Sequence, residues 1–163
     1  MKNFLKAFCV STLLLAMAAT PVLAEETVDT FTSASVNSSY TDYALTGDEL
    51  MDAINSTSGF YSVATTNPDG SANSAVFIYA CHKLNDTYYI QAGLAPNQSL
   101  ENINRTGEAV AMYAKTPDEK PFAMSGARMH LSLVTDEAVI EELNKSGREG
   151  AIYLEVVDVL PLG

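Results

Sequence analysis

The sequence predicts a mainly β, α+β domain in which six antiparallel strands curl into a small barrel and two or three short helices fill its gaps. Three observations predict it. Six segments alternate apolar and polar residues at the two-residue period of a strand. Turn-type links such as NPDG (67–70) separate several of them. The regular strand and long-helix rhythm of a parallel sheet is missing.

In chain order, Thr46-Gly47-Asp48-Glu49 carries the Thr-x-x-Glu spacing of a capping box, and Leu50, Met51 and Ile54 follow on one face. A short helix to about Ser56 is expected. GFYSVATT (59–66) then alternates, with Tyr61, Val63 and Thr65 on one side. NPDG turns the chain, and NSAVFIYA (73–80) returns as a second strand to complete a hairpin. HKLNDT (82–87) is a further turn, and YYIQA (88–92) a third strand. After a polar loop, Ser99 is expected to cap a short helix with Leu100 and Ile103 facing inward. EAVAMYAK (108–115) is strand four, TPDEKP (116–121) an exposed loop, and FAMSGARMHLSLV (122–134) a long fifth strand bent at Gly126. In TDEAVIEELNKSG (135–147), Thr135 is the expected cap. Asp136 and Glu137 suit that helix's positive end, Lys145 its negative end, and Gly147 the stop. AIYLEVVDVL (151–160) closes the domain, which spans 46–163.

Residues 1–24 combine Lys2 and Lys6, an apolar stretch from Phe8 to Ala19, and small residues at Val22 and Ala24. That is the build of a cleaved Sec-type signal peptide, and it predicts a periplasmic or secreted protein with no membrane attachment after cleavage. Retention as an anchor is the alternative, although a span needs about 18 or more apolar residues. Residues 25–45, rich in Ser and Thr, are expected to form a flexible leader, with an edge strand at Val28–Phe31 as the alternative. The chain carries 9 basic and 20 acidic residues, a net −11, and loses two cations with the signal. A charge of that sign repels phosphate backbones and anionic lipid, which excludes nucleic-acid binding. Cys9 lies in the signal and leaves Cys81 alone, so the mature domain has no internal disulfide.

LAPNQSLENINRTGEAVAMYAK (94–115) sets polar loop groups at a helix start. Such a start leaves backbone N–H groups unpaired and carries partial positive charge, so it suits a phosphate. Asn97, Gln98 and Ser99 can add side-chain donors, and Gly93 permits close backbone approach. A plain helix cap is the alternative use of the same residues.

Four segments in succession carry a resemblance: GFYSVATTNPDGSANSAVFIYA, QAGLAPNQSLENINRTGEAVAMYA, MSGARMHLSLVTD and AIYLEVVDVLPLG. Together they resemble the pyridoxamine 5′-phosphate oxidase-like family of FMN-binding split β-barrels, nearest to its small bacterial FMN-binding proteins. The resemblance implies a six-stranded split barrel that forms a homodimer with FMN at the subunit interface. It implies a redox protein or FMN-dependent oxidoreductase with a small-molecule or protein electron partner. It places the flavin along Asn73–Phe77 and Gln91–Asn102, with Ser74, Ala75 and Val76 against the ring and ribityl chain. Gln98, Ser99 and Asn102 would meet the phosphate, with Asn97, Gly93 and Gln91 in the same cofactor-binding set. Where family members carry a basic residue, this chain has Gln98-Ser99. Arg105, or Arg128 of the partner subunit, is the cation that could stand in. No side chain suggests a catalytic acid or base, so none is assigned. The alternative is a flavin-free split barrel acting as a non-enzymatic small-molecule-binding or interaction protein, and a haem- or deazaflavin-binding relative is a third.

Other chemistries find less support. Cys81 and His82 point to opposite faces of a strand, and nothing else lies at ligand spacing, so no metal site is expected. A Gly-x-Ser-x-Gly elbow is missing, and His82 and His130 are the only imidazoles. Tyr79, Tyr88, Tyr89 and Tyr113 are assigned to core and dimer packing, with stacking on a flavin ring as a secondary role.

Overall fold

The computed structural model describes residues 38–117, 123–148 and 150–163. The signal peptide expected over 1–24, most of the leader and most of the TPDEKP loop lie outside these residues. The chain runs α1 (Ser38–Thr41), α2 (Gly47–Asn55), β1 (Phe60–Thr66), β2 (Ala72–Ala75), β3 (Ala80–Leu84) and β4 (Thr87–Ala92). It continues through α3 (Gln98–Thr106), β5 (Glu108–Lys115), β6 (Ser125–Leu133), α4 (Glu137–Asn144) and β7 (Ile152–Leu160). The strands form one sheet in the order β2-β1-β5-β6-β7-β4-β3, every neighbour antiparallel.

The mainly β antiparallel architecture is as expected, but with seven strands instead of six. NSAVFIYA does not run through as one strand. Its first part pairs with β1 at one sheet edge, and Ala80 onward pairs with β4 at the other. Alternation continues across the change, with Val76 and Ile78 exposed, Phe77 half-buried and Tyr79 buried. A period-two pattern therefore cannot reveal that the partner has changed. The crossing also dictates the shape. From Ala75 to Ala80 an extended chain reaches about 18 Å at most, whereas the edges of a flat seven-stranded sheet would stand about 29 Å apart. The sheet must curl until its edges nearly meet.

The β3–β4 turn is also tighter than expected. Asn85 and Asp86, with φ of 50° and 66°, form a two-residue turn whose twist suits a hairpin, and His82 to Leu84 belong to β3. The helix caps differ too. Thr46 stands at the α2 N-cap without a side-chain capping bond, so the capping box does not form. Asp48 instead accepts from Lys83 Nζ and Tyr88 Oη at 3.0 and 2.8 Å, tying α2 to the β3–β4 hairpin. At α4 the cap is Asp136 and not Thr135; its carboxylate accepts from the Ala138 and Val139 N–H groups. A full negative charge at the helix's positive end is the stronger capping group. Upstream of Thr46, the Leu45 N–H donates to Gly126 O at 2.9 Å and the Gly126 N–H to Tyr43 O at 3.2 Å, so these residues are tied to the sheet.

The concave side of the sheet holds the core. Leu50 and Ile54 of α2 and Ile103 of α3 pack there on Tyr61, Val63, Ile90, Tyr113, Met129 and Leu154. Tyr61 lies edge-on to both Tyr79 and Tyr113, with centroids 5.1 and 5.2 Å apart. A second cluster sets Leu143 of α4 on Tyr89 and Tyr153. β4 and β7 are therefore covered on both faces, which is why adjacent residues on each (Tyr89 and Ile90, Tyr153 and Leu154) are buried.

At Gly126, opposite Ala114, β6 has no room for a side chain against β5. Its φ is 153°, and a Cβ there would stand 2.0 Å from the Tyr113 carbonyl oxygen. Gly126→Ala is expected to cost about 3 kcal/mol or more, read from the urea midpoint. Gly70→Ala, also at positive φ but with open space around it, isolates the backbone term at about 1–2 kcal/mol.

Candidate functional site

The start of α3 is built by Asn97. Its backbone is extended, and its Oδ1 accepts the Leu100 N–H at 3.0 Å, so Asn97 is the N-cap and not Ser99. Ser99 falls in the first turn, 2 % exposed, and its Oγ accepts from Asn73 Nδ2 at 2.9 Å. Asn102, one turn further on, is fully buried. Its Nδ2 donates to Thr65 Oγ1 at 3.0 Å and to Asn67 Oδ1 at 2.9 Å, while its Oδ1 accepts from Gln98 Nε2 at 2.9 Å. Asn73 Nδ2 closes the circuit on Thr65 Oγ1 at 3.1 Å.

Of the expected phosphate ligands, Gln98, Ser99 and Asn102 thus bond to one another or to Thr65, Asn67 and Asn73 of the β1–β2 hairpin, while Asn97 caps α3. Both amide hydrogens of Asn102 are used. Ser99 and Asn102 could turn to a phosphate only by breaking a satisfied buried network, whereas Gln98 is exposed at the helix start. The two expected cations are also engaged within the chain: Arg105 donates to Thr66 O, and Arg128 Nε to Pro161 O at 2.7 Å.

The rest of the expected set divides across the crossing. Ser74 is exposed on β2 opposite Ala64, Ala75 is half-buried opposite Val63, and Val76 is 64 % exposed. Gln91 and Gly93 lie on the far side, in a cleft of about 280 Å³ shared with Asn55, Ile78, Tyr79 and Arg148. One wall of this cleft is firmly held. Asn55 donates to Cys81 O at 2.8 Å and accepts the Cys81 N–H at 2.9 Å, fixing the end of α2 to β3. His82 Nε2 lies 2.5 Å from Gln91 Oε1, and its ring is edge-on to Tyr153. Arg148 reaches over from the α4–β7 link, its Nη1 3.5 Å from where a Gly93 Cβ would stand.

Three of these residues were not singled out for the site from the sequence. Arg148 stands in KSGREG with nothing local to mark it; only the fold carries it over Gly93. Thr65 and Asn67 read as strand and turn, and their role depends on α3 docking against β1.

Reactive groups are scarce. Cys81 is buried, and desolvation pushes its thiol up to about 12, so it is a poor nucleophile. Desolvation likewise raises the Tyr79 hydroxyl. Lys83, then Tyr88, hold the Asp48 carboxyl below its ordinary value, but this cluster is on the surface. Among the described residues no group of His, Cys, Asp and Glu could hold a metal, and no helix is long and apolar enough to cross a membrane. A further cavity of about 600 Å³ lies beside Tyr43, Gly59 and Lys115. It contains none of the expected residues.

No protein-family model matches this sequence, and no curated protein matches it. Solved structures do. An FMN-binding protein from Syntrophomonas wolfei superposes with a TM-score of 0.54 at 16% identity, over 71% of this chain and 85% of that one. HupZ from Group A Streptococcus superposes with a TM-score of 0.50 at 22% identity, over 72% of this chain and 94% of that one. A third, from Lactobacillus delbrueckii, is described as a candidate pyridoxamine 5′-phosphate oxidase, with a TM-score of 0.49 at 15% identity over 78% and 97%. The fold is the one these FMN-binding and HupZ structures share.

The buried amide network makes a stability prediction. Asn102→Ala should cost about 2–4 kcal/mol by stranding the Asn67 acceptor and the Gln98 donor and leaving a void. Ser99→Ala, which leaves only one Asn73 donor hydrogen without its partner, should cost about 1 kcal/mol. Urea unfolding of the two variants checks the order.

Proposed function

We propose that the chain is an exported, homodimeric flavin-binding split barrel that takes FMN and works as a redox protein. The observation that carries this reading is the crossing between the sheet edges. Val76 and Ile78, 64 % and 74 % exposed, form an apolar strip on the barrel's open side, next to a cleft flanked by Gln91 and Gly93. A flat, largely apolar ring laid on that strip would bury surface that otherwise faces water. The cleft is too small for a whole flavin mononucleotide, so the ring would lie on the strip with a second subunit closing over it.

The residues present fit the ring better than they fit a phosphate at the start of α3. Bound flavin supplies hydride and single-electron transfer. The chain's own part is to hold the ring on the backbone of Ser74 to Val76 and to keep water from one face. The residues that line the cleft include no carboxylate, histidine or lysine, and the role proposed is electron transfer with a small-molecule or protein partner. Export and dimer formation enter as expectations of the leader sequence and of the resemblance.

A second reading has its own observation. The closed Thr65–Asn67–Asn73–Ser99–Asn102 network is what a barrel without flavin would have at this position, and such a chain would be a non-enzymatic binding or interaction protein.

Titration of the purified protein with FMN separates the two. Under the flavin reading, fluorescence quenching saturates below about 100 µM, or about −5.5 kcal/mol. Val76→Asp and Ile78→Asp each weaken binding about tenfold or more by placing a carboxylate under the ring. Flavin fluorescence unchanged up to that concentration leaves the second reading standing.

A further inference from the structure

The sheet has two edges, β3 and β2, and they are finished differently. Along β3, Cys81 turns its N–H and C=O away from β4, and the Asn55 side chain takes both, at 2.9 and 2.8 Å. The Asp48–Lys83 pair at 3.0 Å holds the other end of α2 beside the same strand. A helix laid over an edge is one of the ways a sheet keeps a further chain from pairing with it.

The β2 edge has no such cover among the described residues. Its bonding phase follows from the hairpin. The Asn67 N–H donates to Ser71 O at 2.8 Å, so Thr65–Asn73 and Val63–Ala75 are the bonded pairs further along. Gly126 gives the same phase, counted across β5 and β1, because its N–H and C=O bond to Tyr43 and Leu45 and not to β5. Ala72 and Ser74 therefore turn their N–H and C=O groups outward, and both residues are exposed. From Gly70 to Ala80 the sequence holds no charged residue and no proline, so nothing in β2 itself opposes pairing.

A second observation lies in the sequence that precedes Ser38. TVDTFT (27–32) alternates and is rich in β-branched and aromatic residues. The edge strand read there as an alternative, Val28–Phe31, has four residues, as β2 has.

We propose that Val28–Phe31 adds to β2 as a further strand and closes this edge, pairing with the outward N–H and C=O groups of Ala72 and Ser74. Chain length permits it. Tyr43 stands on the β7 side of β6, so the added strand would lie five strand spacings away, about 24 Å across the sheet. Residues 32–42, with α1 as one helical turn, reach about 29 Å. Charge favours a segment of the same chain over a second copy. Two copies meeting edge to edge would each bring a net −11, whereas a tethered segment avoids the entropy loss of association. Asp29, inside the added strand, would leave the completed sheet ending on a charged edge, as native sheets commonly do. The pairing covers Ala72 and Ser74 and stops short of Val76 and Ile78, so it does not rest on the flavin reading.

Hydrogen exchange followed residue by residue by NMR tests this on the secreted chain, which begins at Glu25 in the export reading. In the wild type, the amides of Ala72 and Ser74 should exchange about ten- to hundredfold slower than in a free chain, and so should alternate amides within 28–31. Asp29→Pro/Thr30→Pro places a residue without a donor at both phases of the added strand and should return Ala72 and Ser74 to free-chain rates. Ser35→Pro, between that strand and α1, should leave them protected. Leu131, fully buried in the core, should stay protected in all three chains, which shows that the domain is folded in each. Free-chain exchange at Ala72 and Ser74 in the wild type overturns the proposal, as does protection that survives the double proline. Protection that grows with protein concentration also overturns it, because a second copy then covers the edge.

Discussion

Four residues have to carry the chain from one edge of a seven-stranded sheet to the other. That short reach governs the shape of the barrel, the place of its core and the character of its seam. A flat sheet cannot satisfy it, so the sheet curls, and its concave face becomes the only place large enough for Tyr61, Met129, Leu131 and Ile90 to be buried together. The crossing residues then lie where the barrel fails to close. Phe77 packs against the core and Tyr79 is buried, while Val76 and Ile78 are left with no sheet neighbour to cover them. An open barrel with an apolar strip along its seam is thus a consequence of chain length, and the strip lies where a planar ligand or a second subunit can be seated.

The two ends of the seam are finished in opposite ways. On the β1–β2 side, α3 is locked down by amides and hydroxyls that satisfy one another, with Asn102 at the centre and no exposed atom. A network of that kind rigidifies, because opening it leaves several groups unpaired at once. On the β3–β4 side the polar groups are held but not matched. Asn55 fixes the wall, His82 orients Gln91, and Tyr79 and Arg148 remain without partners among the described residues.

Much of this architecture was legible in the sequence, and the parts that were not have identifiable causes. Alternation marked six strands and left His82–Leu84 of β3 in a turn, and it could not show that Val76–Tyr79 leaves one partner for another, because facing in and facing out continue unchanged through the crossing. Spacing marked α3 and α4, yet the caps moved, to Asn97 and Asp136, because neighbouring polar residues compete for the same N–H groups and only the backbone angles decide between them. The helix start at Asn97-Gln98-Ser99 stood out for the right chemistry, an excess of donors. Whether those donors face a ligand or Thr65 and Asn67 depends on how α3 docks, which no local pattern carries. Arg148 is the converse case. Undistinguished loop sequence surrounds it, and its place over Gly93 comes from the course of the α4–β7 link.

The acidic balance of the chain also limits the kind of anion site it can sustain. At a net charge of −11 the long-range field opposes an approaching phosphate. That field is screened beyond about 8 Å at physiological salt, whereas a guanidinium contact acts at hydrogen-bond distance. Added salt therefore removes repulsion and weakens the grip together, two effects of opposite sign. In a basic protein both would run the same way, and anion affinity would fall steeply as salt rises.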